Sequence, residues 1–382
     1  MARLTNPKVK STVGLDIETG SIAATEVRVN GSIEVAGGGV LPLGPGVFRE
    51  GEVADPEALG QAIKELFARE KLSRDVRVGI ANQRVAVRSM RLPAIDNRDE
   101  LETAIRFQAQ DHIPMPLDQS VLDWQVVGHS TDENGERKVD VVAVAARRDM
   151  IGQMLEALSI AGVRPIGIDH SAFGMIRALA REVGSPVGPG QFVTAPSYEE
   201  RVAAHAQGAP GVAVAENHAP AKLFCNLGDV TNLAVARGST CLFTRIASFG
   251  IEGIAQKLAE RRRLTVEHSR QWLTHVGLEQ PVEAVEGDPE HVSAARDCLA
   301  DGAARLSDEL RVSMDYYSAT DGAVPIEGVV VCGPGTRIPG MVERLQRSLG
   351  HAFSVAKPSP LGHLDDASAV RQTLSFGLAL EE

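Results

Sequence analysis

The sequence predicts an α/β fold of two related lobes around a cleft, and three loops predict it. The first, Val13-Gly14-Leu15-Asp16-Ile17-Glu18-Thr19-Gly20-Ser21, lies between two strand-like runs near the start of the chain. The second, Cys225-Asn226-Leu227-Gly228-Asp229-Val230-Thr231-Asn232, has the same setting about half a chain later. The third, Cys332-Gly333-Pro334-Gly335-Thr336, follows the apolar run Val329-Val330-Val331 and leads through Pro339-Gly340 into a helical pattern. Two similar strand–loop–strand units imply lobes of related build. Small-residue loops at strand ends let backbone N–H groups approach a phosphate. Together they point to a nucleotide cleft between the lobes.

Each element has its own signal. Residues 11–16, 22–29 and 32–37 read as a three-stranded meander, with Asn30-Gly31 as the hairpin turn. Asp55 caps a helix that has Pro56 at its first position, and Leu59, Ala62, Ile63, Leu66 and Phe67 form its apolar face. Strands are predicted over 76–81 and 85–92. Asn97-Arg98-Asp99-Glu100 has capping-box spacing and opens a helix that must stop before Pro114 and Pro116. Residues 124–128 and 138–146 pair as strands around Asn134-Gly135. The stretch from about 45 to 146 is therefore expected to form an inserted α+β unit. A helix over 148–161 closed by Gly162, a strand over 163–168 and a helix over 171–182 complete the first lobe, residues 1–182.

Residues 183–221 are rich in Gly, Pro and Ala, lack periodicity and read as a loop or linker, with a charged island Tyr198-Glu199-Glu200-Arg201 that suits a short helix. The second lobe, 222–382, opens with a meander over 222–248. Helices follow over 250–263 and 266–276, then an acidic connection over 279–290. A long amphipathic helix is expected over 291–318, a strand over 328–332 and a helix over 341–349. A last helix, 367–380, is expected to pack back on the core.

Composition narrows the function classes. A chain of 382 residues is too long for one compact core, so at least two domains are expected. With 4% aromatic residues the core must be built from Ala, Val, Ile and Leu. The net charge of −11 and the lack of sustained basic clusters argue against nucleic acid; Arg261-Arg262-Arg263 reads as a solvated helix face. Cys225, Cys241, Cys298 and Cys332 form no CxxC pair and read as small reduced core residues of a cytosolic protein. No apolar leader follows Met1 and no run approaches the ~20 apolar residues of a membrane span. Direct membrane insertion is not expected. The ten histidines show no metal spacing, and Trp124 and Tyr317 read as packing residues.

In this order the three loops resemble the actin-like (ribonuclease H-like) fold of ATPases. Within that fold the chain is similar to the PilM family of type IV pilus assembly. The resemblance also rests on Leu92-Pro93, Ile113-Pro114-Met115-Pro116, Asp123-Trp124-Gln125, Phe243-Thr244-Arg245 and the run from Leu306-Ser307-Asp308-Glu309 to Asp315-Tyr316-Tyr317. It implies ATP and Mg²⁺ as cofactors. Asp16 would hold water around Mg²⁺, and Thr19, Gly20 and Ser21 would wrap the phosphates. Asn226, Gly228, Asp229, Val230 and Thr231 would face them from the other lobe. Gly333, Gly335 and Thr336 would sit beside the adenosine. Glu267 and Arg270, one helical turn apart, would reach the ribose; read from the residues alone they could equally be an exposed ion pair. Asp16 could likewise be only a turn residue, and Gly333 and Gly335 only a strand-to-helix turn.

The chain departs from that pattern in three places. Glu18 stands where the first loop usually has a second glycine, Ala23 where a lysine follows, and Asn226 where the second loop has an aspartate. A carboxylate repels a triphosphate, and losing a lysine and an aspartate removes a phosphate cation and a Mg²⁺ partner. Weakened ATP binding with little or no hydrolysis is expected. The resemblance implies a cytoplasmic scaffold, peripheral to the inner membrane through its partners. One is the N-terminal segment of a PilN-like membrane protein, docked between the first lobe and the inserted unit; other inner-membrane pilus assembly proteins are further partners. The rival readings are an active ATPase, resting on Asp16, and an FtsA-like cell-division protein. The acidic end, Glu381-Glu382, lacks the basic amphipathic helix the latter would use.

Overall fold

The computed structural model describes residues 11–380 apart from 31, 133, 181, 183–219 and 321. Residues 183–219 of the expected linker, with its charged island, lie outside the described residues, and its last residue, Ala221, is already in a strand. Strands β1 (Ser11–Glu18), β2 (Ser21–Val29) and β3 (Ile33–Pro42) form the first meander, each longer than the sequence suggests. The ladder β4 (Phe48–Arg49) and β5 (Glu52–Val53) precedes helix α1 (Pro56–Glu70), which Asp55 caps through the N–H of Ala58. Strand β6 (Asp75–Ile80) runs parallel to β1. Strands β7 (Val85–Pro93), β8 (Ser120–Thr131) and β9 (Arg137–Arg147) make a separate sheet in the order β7-β9-β8. Helix α2 (Arg98–His112) packs on it through Leu101 and Ile105, and its Asn97 cap accepts from the N–H groups of Asp99 and Glu100.

The separately packed unit is narrower than the expected 45–146. Helix α1 packs on α3 (Arg148–Ala161) in the core beside the main sheet β10-β6-β1-β2-β3, and β6 lies within that sheet between β1 and β10 (Arg164–His170), so neither belongs to the added unit. Propensity placed these elements correctly; only strand pairing decides which sheet each joins.

The second sheet repeats the first. Strands β11 (Ala221–Leu227), β12 (Thr231–Arg237) and β13 (Thr240–Ala247) form an antiparallel meander. Strands β14 (Ile326–Cys332) and β15 (Phe353–Val355) add in parallel, giving the order β13-β12-β11-β14-β15. The three-residue β15 has too short a pattern to stand out in the sequence. One face carries α5 (Ile251–Arg262), α6 (Val266–Val276) and α7 (Pro289–Ser318), with Leu258, Leu273, Leu299 and Leu306 in the shared core. Helix α8 (Met341–Leu349) ends at Gly350 in the left-handed region, where glycine carries no Cβ penalty.

Two helices join the halves. α4 (Ser171–Leu179), shorter than the expected 171–182, and the last helix α9 (Asp366–Ala379) share one apolar cluster with Phe224, Ala234 and Val330 of the second sheet. Their backbones touch: a Cβ on Gly377 would collide with the carbonyl of Gly174. α9 also lies directly on β1, where a Cβ on Gly14 would collide with the carbonyl of Ser375. The chain therefore finishes its second lobe by burying a helix on the sheet of its first.

Candidate functional site

Gly14, Asp16 and Glu18 alternate along β1 and so share one face of the sheet, the face under α9. Ser375 sits over Gly14, and Arg371, one turn earlier on α9, sits over Asp16. The Arg371 guanidinium is spent entirely in this corner. Its Nη1 donates to Asp16 Oδ2 at 2.8 Å, its Nε to Ser21 Oγ at 2.9 Å and its Nη2 to the Ser21 carbonyl at 2.9 Å. Glu18 Oε2 lies 3.4 Å from the same Nε. All three charged side chains are buried. Burial pushes the Asp16 carboxyl above its usual range against the pull of Arg371, and it pushes Glu18 up to about 8. Burial alone would lower Arg371, but the charges of Glu18 and Asp16 hold it above its ordinary value.

The second loop closes on the first. Asp229 Oδ2 accepts the backbone N–H of Gly20 at 3.2 Å. In return the Glu18 carboxylate rests on the bare Cα of Gly228, where a Cβ would strike Oε1, and the Asp229 N–H is directed at it. From α6, the Arg270 guanidinium covers Gly20. Arg270 is anchored by Glu252 Oε2, at 2.6 and 3.1 Å, and by Glu267 at 2.9 Å. Burial raises the Glu252 carboxyl, again against the pull of its arginine.

The structure thus brings Asp16, Thr19, Gly20, Ser21, Gly228, Asp229, Val230 and Arg270 together. Glu267 reaches the corner only through Arg270 and is largely exposed. Asn226 is buried and accepts the Cys332 thiol at 3.7 Å. Thr231 is turned away, donating to the Phe249 carbonyl at 2.7 Å. Gly333, at φ +87°, faces the Asn226 side chain. Gly335 is packed against Leu227 and Ile251, and Thr336 donates its hydroxyl to the Gly333 carbonyl at 2.8 Å. This third loop is a 3₁₀ turn, Pro334–Arg337. Sequence reasoning missed Arg371 and Glu252. Arg371 had a signal: it interrupts the apolar residues of a helix expected to be buried, and a buried charge requires a partner.

What remains open between the loops is a cavity of about 20 Å³ lined by Asp16, Glu18, Asn226, Asp229 and Asn232, among others. That volume suits about one water. Neither amide atom of the buried Asn232 side chain has a protein partner, which also fits a water there. In this closed arrangement the residues do not fit Mg²⁺-ATP. Asp16 is committed to a guanidinium, Gly20 N–H to a carboxylate, and among the described residues no group of three acidic, histidine or cysteine side chains is placed to hold a metal ion.

A larger groove lies elsewhere. It encloses 580 Å³ between the three-stranded unit and the second lobe. Edge strand β7 supplies one wall from Val85 to Arg88, and Pro114-Met115-Pro116 continues it. Thr244-Arg245-Ile246 of β13, also an edge strand, faces them, and His170 and Arg147 close the end. His170 is buried; its Nδ1 accepts the N–H of Ala172 at 3.1 Å and so caps α4. Burial lowers its pKa to about 4.

Comparison with known proteins meets this geometry. Residues 14–186, which include most of β1, the groove walls from β7 and Pro114-Met115-Pro116, and α4, match the family model described as type IV pilus assembly protein PilM. A solved PilM-PilN type IV pilus biogenesis complex superposes with a TM-score of 0.74 at 22% identity, over 98% of each chain. Over residues 14–186 the chain is similar to that family, and across both lobes it shares the fold of the solved complex. The ethanolamine utilization protein EutJ of Carboxydothermus hydrogenoformans shares the broader fold, with a TM-score of 0.50 and 14% identity over 99% of this chain and 91% of its own. The two-lobed actin-like fold with an added α+β unit is thus established, and that unit lies in the stretch that the family model matches. Among its described residues no helix is long and apolar enough to cross a membrane.

Proposed function

We propose that this chain is an actin-like scaffold of type IV pilus assembly, and that the groove beside β7 receives the cytoplasmic N-terminal segment of a PilN-like inner-membrane protein. One observation carries the reading: the groove runs along the unpaired edge of β7, bounded by the added unit and by β13. An edge strand offers a row of backbone donors and acceptors, so an extended segment adds to it as a further strand. A volume of 580 Å³ suits a short run of side chains. Apolar side chains of the segment would meet Val87 and Met115, and the segment would displace Arg88 from the Val87 carbonyl, which its Nη1 holds at 2.8 Å while its Nε donates to the His112 carbonyl. The protein would reach the inner membrane through this contact and, by the same route, other assembly proteins.

ATP, where it binds, would act by shifting the lobes and so the width of the groove, not by turnover. An active ATPase is disfavoured because Asp16 and the phosphate-turn N–H are committed to protein groups. An FtsA-like membrane contact through α9 is disfavoured because Ala369 to Ala379 are all buried.

The test is fluorescence anisotropy with a labelled peptide copying the first residues of a PilN-like protein. Val87→Asp and Met115→Asp are each expected to weaken binding at least ten-fold, about 1.4 kcal/mol, with circular dichroism unchanged. Equal affinity for both folded variants and the wild type would remove the groove from the mechanism.

A further inference from the structure

The contacts across the cleft form a matched set. The backbone N–H of Gly20, in the first loop, is taken by the Asp229 carboxylate of the second. The backbone N–H of Asp229, in the second loop, is directed at the Glu18 carboxylate of the first, which lies on Gly228. These loop N–H groups are the donors that a phosphate would use. Carboxyl oxygens of Glu18 and Asp229 offer acceptors to the same groups. Beside them Arg371 supplies, from the protein itself, a cation against Asp16 and Glu18. Arg270, tied to Glu252, closes over Gly20 from the second lobe.

We propose that the cleft carries an internal latch: Asp229 occupies the Gly20 donor of the first loop, Glu18 covers the second loop at Gly228, Arg371 takes the cation's place at Asp16, and a nucleoside triphosphate enters only by displacing them. The latch holds the lobes closed without a ligand. It sets nucleotide affinity by competition, because apparent affinity falls in proportion to the fraction of molecules with the latch open. Glu18, the residue that departs most from a glycine-rich phosphate loop, is the keystone. Its carboxylate touches the guanidinium on its own lobe and the Gly228-Asp229 backbone on the other. Deleting that side chain frees the Asp229 N–H and opens the space over Gly228, yet leaves Arg371 paired with Asp16. The inference is independent of partner docking, since no residue of the groove takes part.

The experiment is titration of the full chain with a fluorescent ATP analogue in Mg²⁺, read beside hydrogen exchange of the segments 16–23 and 226–233. The wild type is expected to bind weakly and to show protected Gly20 and Asp229 amides without nucleotide. Glu18→Gly is expected to bind at least ten-fold more tightly, to lose protection at Asp229, and to regain it on adding Mg²⁺-ATP. Glu18→Ala reports the same change if glycine loosens the strand too far to fold. Equal nucleotide affinity in the wild type and the folded variant would overturn the latch. So would fast exchange of both amides in the wild type, which would show that the loops do not hold each other. Peptide binding to the groove, measured on the same variants, stays a separate readout.

Discussion

The cleft and the groove lie in one molecule and are built in opposite ways. The cleft retains the fold's paired loops, yet its own side chains reduce it to about 20 Å³, and they do so with charges: Asp16, Glu18, Asp229 and Arg371. The groove, 580 Å³, is bounded by two edge strands, β7 and β13, and among the described residues only local hydrogen bonds cover the β7 edge, from Arg88 Nη1 to the Val87 carbonyl and from the Val85 N–H to the Asn82 carbonyl. A buried charge network is costly to rearrange, because each partner left alone bears its full desolvation penalty. An edge strand is cheap to engage, because its hydrogen-bonding row already faces outward. The contrast assigns stability and lobe closure to the cleft, and recognition to the groove.

The largest effect that would break this contrast is loss of the guanidinium. Arg371→Met is expected to destabilise the protein by about 3–5 kcal/mol, since it leaves the buried Asp16 without its cation and the Glu18 carboxyl and Ser21 without their donor. Urea denaturation measures it. A loss below about 1 kcal/mol, the usual worth of an exposed pair, would show that water reaches the corner and that the cleft is not closed by charge. Arg371→Met combined with Glu18→Gly should recover part of the loss, because one of the stranded carboxyl groups is removed with its partner.

The sequence made the loops legible and their closure illegible. Glycines, cap residues and strand patterns are local signals, and they located both meanders, the Asn97 and Asp55 caps and the return of the last helix to the core. The reading of Glu18, Ala23 and Asn226 as departures identified the place where the cleft differs. What closes it came from positions 229, 270 and 371, brought to residues 16–20 by tertiary packing alone. The same limit explains the boundary of the added unit. A strand such as β6 reads alike in either sheet until its pairing with β1 is known.

A smaller effect sharpens the groove side. His170 lines the groove and caps α4 only while its Nδ1 is unprotonated. Its pKa falls from the ordinary 6.5 to about 4 through burial, with Asp169 pulling the other way. The folded state therefore binds fewer protons than the unfolded state between those values. Its contribution to stability is complete above pH 6.5 and is lost as pH falls toward 4, with a slope approaching about 1.4 kcal/mol per pH unit. Asn accepts the same N–H without titrating, so His170→Asn should flatten that part of the profile. Thermal melts across this range check it. An unchanged slope in the variant would place the acid-sensitive group elsewhere.

The smallest effect tests whether the two regions are separable. Asn97 caps α2 at the end remote from Pro114, and its side chain accepts from Asp99 N–H at 2.9 Å and Glu100 N–H at 3.3 Å. Asn97→Ala is expected to cost about 1 kcal/mol. The loss should fall on the three-stranded unit, because Leu101 and Ile105 pack only within it. Hydrogen exchange should quicken in α2 and stay unchanged in α9 and in the loops around Gly20 and Gly228. Peptide affinity should shift by less than about two-fold, since Met115 and β7 are held from the other end of the helix by Ile113, which packs with Ala86 and Ala145. Faster exchange at Gly20 in this variant would mean that the added unit and the cleft share one cooperative unit. Partner docking and lobe closure would then be a single event, and the groove could not be engaged without bearing on the latch.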